Sequence, residues 1–257
     1  MIPKFARNWL GGRNGLALLA VALLAFGVQP VFAADEKLDA ATEKLDEALK
    51  KKDSEGAQSA IDELIGLWID ADGADDDATK KTVVSSLSKV LKWRGEDPMV
   101  IVKGAQALGD MGEDAAKPLV AATKDSKLRK DEKFKPALLQ CIRALGATRS
   151  ERNVKTLTSL LKDKDFEVIA VAGEALGNFD SRAKLRTRKM VAEELIKTLT
   201  SAYGATESDP RNTTLRQKYE IISIPILTAL QRVTGASVGT PPEWRKWYND
   251  NKKKRWN

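Results

Sequence analysis

The chain has 257 residues, 31% of them charged, with a formal net charge of +7, no histidine and one cysteine. The missing histidine removes His-based triads, His zinc ligands and His-ligated haem. A single cysteine removes thiolate clusters and a disulfide framework.

The first 33 residues read as a secretory signal. Lys4, Arg7 and Arg13 form a positive start, Gly15 to Val28 is apolar and uncharged, and Val31-Phe32-Ala33 supplies a small-residue cleavage site. The expected cut follows Ala33, and the product is periplasmic or secreted. Without cleavage, the same segment would be an N-terminal membrane anchor. The apolar stretch is short for a span, so no transmembrane segment is expected after cleavage. Losing Lys4, Arg7 and Arg13 would also lower the net charge.

Residues 34–96 read as divergent N-terminal helices. Leu38, Ala41, Leu45 and Leu49 form a thin stripe; Ala57, Ala60, Ile61, Leu64 and Trp68 form a richer one; Val83, Leu87, Val90 and Leu91 form a third. Turns are expected over Lys50–Gly56 and Asp70–Asp77. The second turn has the oxygen ligands that calcium needs, but counting from Asp70 puts Gly73 fourth and Lys81 twelfth. An EF-hand wants Gly sixth and an acid twelfth. The expected role is a loop in which Asp77 caps the next helix; a weak cation contact stays open.

Residues 97–235 read as repeats. Ala107-Leu108-Gly109, Ala144-Leu145-Gly146 and Ala175-Leu176-Gly177 recur at the roughly 30–47-residue interval of helical-hairpin repeats. Four residues before each Leu stands a small residue (Gly104, Cys141, Ala172). Seven before stands a branched aliphatic (Ile101, Leu138, Ile169). These positions share one helix face. Each unit is therefore expected to be a helix with an inward stripe, ended by Gly. Cys141 reads as a small core residue. Partner helices carry Ala115, Leu119 and Ala122, then Val154, Leu157, Leu160 and Leu161, then Met190, Val191, Leu195 and Leu199. Gly204 to Thr214 reads as an exposed loop. In the next helix Pro225 predicts a kink or the true start. No run alternates long enough to propose a strand.

Residues 236–257 read as a cap helix with a basic tail. Trp244, Trp247 and Tyr248 have helical spacing, and Lys252 to Arg255 read as a solubilising tail. The densest basic run is Arg182, Lys184, Arg186, Arg188 and Lys189, with no acid from Ser181 to Ala192. It is the candidate anion or partner site; the competing reading is a solvated helix entrance.

Asp97-Pro98, Ala107-Leu108-Gly109, Gly112 and Pro118-Leu119 resemble HEAT repeats of the short type found in phycobilisome-lyase-related proteins. Val233-Thr234-Gly235 with Pro242, Glu243, Trp244, Trp247 and Tyr248 resembles the closing segment of some exported bacterial HEAT-repeat proteins. The resemblance implies an all-α fold, an α-solenoid of antiparallel hairpins. It implies a non-enzymatic scaffold for an unidentified protein partner, without catalytic residues, metal or cofactor. One alternative is a module binding polyanions or anionic surfaces through Arg182–Lys189. Another is a lyase or ligand-attachment enzyme with converging carboxylates or Tyr. The signal segment argues against nucleic acid as a partner.

Overall fold

A computed structural model describes residues 35–256. The expected signal segment, residues 1–33, lies outside the described residues. Among those residues the fold is all-helical, with no strands. Helix α1 covers 35–51. It is followed by α2 (Ser54–Gly73), α3 (Asp77–Val90), α4 (Met99–Asp110), α5 (Ala116–Ala122) and α6 (Ser126–Lys130). Then come α7 (Lys135–Ala147), α8 (Val154–Leu160), α9 (Phe166–Leu176), α10 (Leu185–Ser208), α11 (Thr213–Thr234) and α12 (Pro241–Asn251).

Local chemistry sets many of the helix starts. Asp53, Asp125, Asp165 and Asn212 each accept a hydrogen bond from a backbone N–H in the first turn that follows. Such caps contribute about 1 kcal/mol each. Asp97 accepts from the Met99 N–H at 2.9 Å, just ahead of α4. Thr240 and Glu243 form a reciprocal capping box on α12.

The apolar stripe then decides which face turns inward. Ile101, Leu108, Cys141, Leu145, Ile169, Ala172 and Leu176 are all fully buried. At about 25 cal/mol per Å² of apolar surface removed from water, each large member contributes roughly 1.5–3 kcal/mol. One apolar core runs continuously from Leu38 to Trp244. Helices α4, α7, α9 and α11 form a row in which each packs on the next. Helix α10 packs on α11, and α12 on α10.

The repeated glycines do a different job from the one expected. Gly109 and Gly146 lie inside their helices, and Gly177 follows α9 with φ −63°. None adopts the left-handed conformation of a helix-ending glycine; among the described glycines only Gly112 and Gly235 do. Instead, each glycine admits the next helix of the row. A Cβ on Gly109 would stand 2.9 Å from Ala144 Cα, and one on Gly146 would stand 2.6 Å from Ala175 Cβ. One on Gly177 would stand 3.0 Å from Ala229 Cα. The Gly of each tripeptide therefore rests on the Ala of the next copy, and the fourth Ala belongs to Ala229-Leu230. Gly104 fits the same logic towards a different neighbour, since its Cβ would meet Val90 Cγ1 at 2.7 Å.

Other expectations are corrected at their edges. Asp70 to Gly73 are the last turn of α2 rather than loop, and Asp76 rather than Asp77 caps α3, accepting from the Ala78 and Thr79 N–H groups. Helix α10 continues through Gly204 to Ser208, which shortens the expected loop to Asp209–Asn212. Pro225 lies inside α11 and does not start it. Interior Pro costs about 3 kcal/mol, and packing of α11 along both α9 and α10 offsets it. Met190 is exposed, off the buried face that carries Val191, Leu195 and Leu199.

Candidate functional site

The basic run is divided by its surroundings. Arg182 turns back on Asp180, its Nε donating to Oδ1 at 3.0 Å. That hydrogen bond holds the Asp180 carboxyl at about 2. The backbone N–H of Lys184 donates to Glu151 Oε1 at 2.9 Å, and the Lys184 ammonium stands 3.4 Å from the same carboxylate. This backbone hydrogen bond lowers the Glu151 pKa. Glu151 thus serves as a cap for α10 supplied from outside the helix, which has no acid in its own first turn.

Arg188 is buried, and this corrects its placement on a surface patch. Its Nε donates at 2.8 Å to the carbonyl of Val233, in the last turn of α11. Burial lowers its pKa from the ordinary arginine value. The guanidinium satisfies a helix-end carbonyl and interacts favourably with the negative end of the α11 dipole. It joins α10 to α11. Of the five candidates, Lys189 is half-exposed and engaged by the C-terminal segment, and Arg186 faces outward. Arg186 is exposed with no carboxylate partner among the described residues.

The basic tail is ordered, not a free solubilising extension. Trp256 folds back so that its Nε1 donates to the Asn251 carbonyl at 3.0 Å. Its ring lies 5.3 Å from Trp247 and 6.3 Å from Tyr248, centroid to centroid. Lys189 Nζ donates to the Lys254 carbonyl at 2.7 Å and stands 5.7 Å from the Trp256 ring. Trp244, on the inward face of α12, is fully buried, 5.6 Å from Trp247. A tryptophan at the end of a lysine run was the sequence signal for this, because a solvated tail has no use for a large apolar ring.

Two grooves lie between helices at the N-terminal side. One, of about 280 Å³, is bounded by Ile65, Trp68 and Ile69 of α2 and by Lys103, Ala107 and Asp110 of α4. Ile69 is 59% exposed there. The other, of about 630 Å³, separates Ser88 and Leu91 from Pro118 and Ala121 and is edged by Lys92 and Lys117.

Neither Cys141 nor Tyr248 lines either groove. Cys141 is buried, and desolvation raises its thiol pKa to about 12. Burial, reinforced by a hydrogen bond to Glu193, pushes the Tyr248 hydroxyl to about 12 as well, so it stays protonated at neutral pH and donates a hydrogen bond to that carboxylate. Asp72 and Asp77 both turn onto Lys80. Among the described residues no group of three or more acids or Cys is placed to hold a metal ion. No helix there is long and apolar enough to cross a membrane. No protein-family model matches the chain, and no curated protein matches it significantly.

Proposed function

We propose that the chain is a non-enzymatic scaffold, a HEAT-like α-solenoid that presents a rigid surface to a protein partner. The observation that carries this reading is the contact repeated at three junctions, Gly109 to Ala144, Gly146 to Ala175 and Gly177 to Ala229. Equivalent residues meeting at every step are what a stacked array requires, because each repeat is stabilised by its neighbours. Side chains outside that repeated contact are then free to choose the partner. The open groove at Trp68 and Ile69 is the candidate docking face, since an accessible apolar floor beside Lys103 and Asp110 offers both burial and orientation. An exported location, periplasmic or secreted, belongs to the same reading and rests on residues 1–33.

The test is capture by the full chain from an envelope extract of its own host, run beside the double variant Trp68→Ala, Ile69→Asp. The reading expects a defined protein retained by the native chain and released by the variant. Retention of nothing specific, or equal retention by both, would overturn it. Solution scattering adds an independent check, because an array must be elongated and a bundle of the same mass is compact. The lyase reading finds less support, because Tyr248 and Cys141 are both held in their protonated forms away from the grooves.

A further inference from the structure

We propose that the C-terminal end of the molecule is a second, separate surface that binds anionic lipid membranes. It is built by the folded-back tail and the start of α10, and it does not depend on the scaffold reading.

Three observations converge on it. The first is charge. Lys252, Lys253, Lys254 and Arg255 are all exposed, and none has a carboxylate partner among the described residues. Lys189 is tied to this segment through the Lys254 carbonyl. Arg186 stands one turn before Lys189 on the same helix, within side-chain reach. Some exposed cations elsewhere are neutralised in place, as at Lys133–Glu96 and Arg143–Glu174. The charge at this end is left open to a partner.

The second is order. The Trp256 indole is packed against Trp247 and Tyr248 and hydrogen-bonded to Asn251. The four cations between Asn251 and Trp256 are therefore held in a fixed turn. A pre-arranged cluster loses less conformational entropy on binding than a free tail would.

The third is the company the charges keep. Trp247, Tyr248 and Trp256 are each partly exposed beside the lysines. Trp and Tyr next to Lys and Arg match the headgroup layer, where an amphipathic ring sits at the boundary and cations meet anionic lipid. A nucleic-acid face is a poorer fit. Single strands need rings lying open for bases to stack on, whereas these rings pack on one another, Tyr248 edgewise on Trp256. Lysine heads on flexible stems suit a fluid layer of point charges better than a fixed bidentate acceptor.

The test is binding of the full chain to vesicles of phosphatidylglycerol and phosphatidylcholine in equal parts. Pure phosphatidylcholine vesicles serve as the reference, so that apolar attachment by any other segment is subtracted. The native chain should bind the anionic vesicles more tightly, with the difference shrinking as salt is added. Changing Lys252, Lys253, Lys254 and Arg255 together to Glu should lower the anionic affinity by at least about tenfold. Trp256→Ala should give part of that loss, and Trp256→Phe should restore some of it. Circular dichroism confirms that helix content is kept; should the Glu variant lose it, the milder pair Lys253→Gln, Lys254→Gln carries the comparison. Equal binding to both vesicles, or no loss in the folded charge variant, would overturn the proposal. So would salt-sensitive binding to heparin or DNA without any preference for anionic vesicles. A scaffold partner lost or kept in the Trp68 and Ile69 experiment leaves this result untouched.

Discussion

The α4–α7–α9–α11 row and the α2–α4 junction solve the same packing problem in different ways. Within the row, bare glycine backbone meets alanine, so helices approach until their main chains touch. At α2–α4 there is no such glycine. Gly66 of α2 has nothing within 4 Å of where its Cβ would be. Large side chains, Ile65 and Trp68, hold the helices apart, and a groove opens between them. Close packing makes a rigid body with little to offer a ligand, while loose packing leaves apolar surface accessible. A framework and a candidate recognition site thus come from one architecture by exchanging glycine for bulk.

Substitutions can break this contrast, beginning with the largest effect. Leu145→Ala, at a fully buried position in the row, should cost about 2–5 kcal/mol. Ile69→Ala, mostly exposed, should stay within about 0.5 kcal/mol of the native chain. Urea denaturation measures both, and equal losses would dissolve the distinction. Next comes Gly146→Ala. The new Cβ would meet the Ala175 Cβ, Cα and backbone O at 2.6–2.7 Å, which side-chain motion cannot relieve. A loss of about 1–3 kcal/mol is expected. The identical change at Gly66, in open space on a helix, should instead stabilise by about 0.4–1 kcal/mol, because it restricts the unfolded chain. Opposite signs for one substitution are the sharpest form of the comparison; a shared sign would refute it.

The smallest effect concerns the turn after α9. Asp180 is held at about 2 in the folded chain by Arg182, against an ordinary value of 3.8. A depressed carboxyl contributes stability that is complete above the ordinary value and lost as pH falls through the folded one. Asp180→Asn should therefore cost under about 1 kcal/mol at neutral pH, as partly exposed pairs do. The gap to the native chain should close between pH 3.8 and about 2. Parallel denaturation curves at both ends of that range decide it.

The helical stripes were legible because burial follows a period that a reader can count: Ile101, Leu108, Leu138, Leu145, Ile169 and Leu176 are all inside. The purpose of the glycines was not legible, because it depends on which alanine arrives from another helix. Local propensity suggested that Gly ends a helix, and tertiary contact gave it a different role. The basic run failed for a similar reason. Its spacing along the chain was plain, but Asp180, Glu151 and the Val233 carbonyl, which claim Arg182, Lys184 and Arg188, lie outside the run. The ordered tail was not legible because a lysine run by itself is solvated, and the fold-back depends on Trp256 meeting Trp247 and Tyr248 in space.

The contact between successive tripeptides has a direction. Helices α4, α7 and α9 each offer a glycine forward, and α7, α9 and α11 each receive one on an alanine. Helix α11 receives Gly177 on Ala229 but carries the exposed Gln231 where the forward glycine would stand. A further unit arriving at α11, from this molecule or from another copy of it, would meet a side chain in place of bare backbone. Gln231 thus ends the run of glycine-to-alanine contacts at α11.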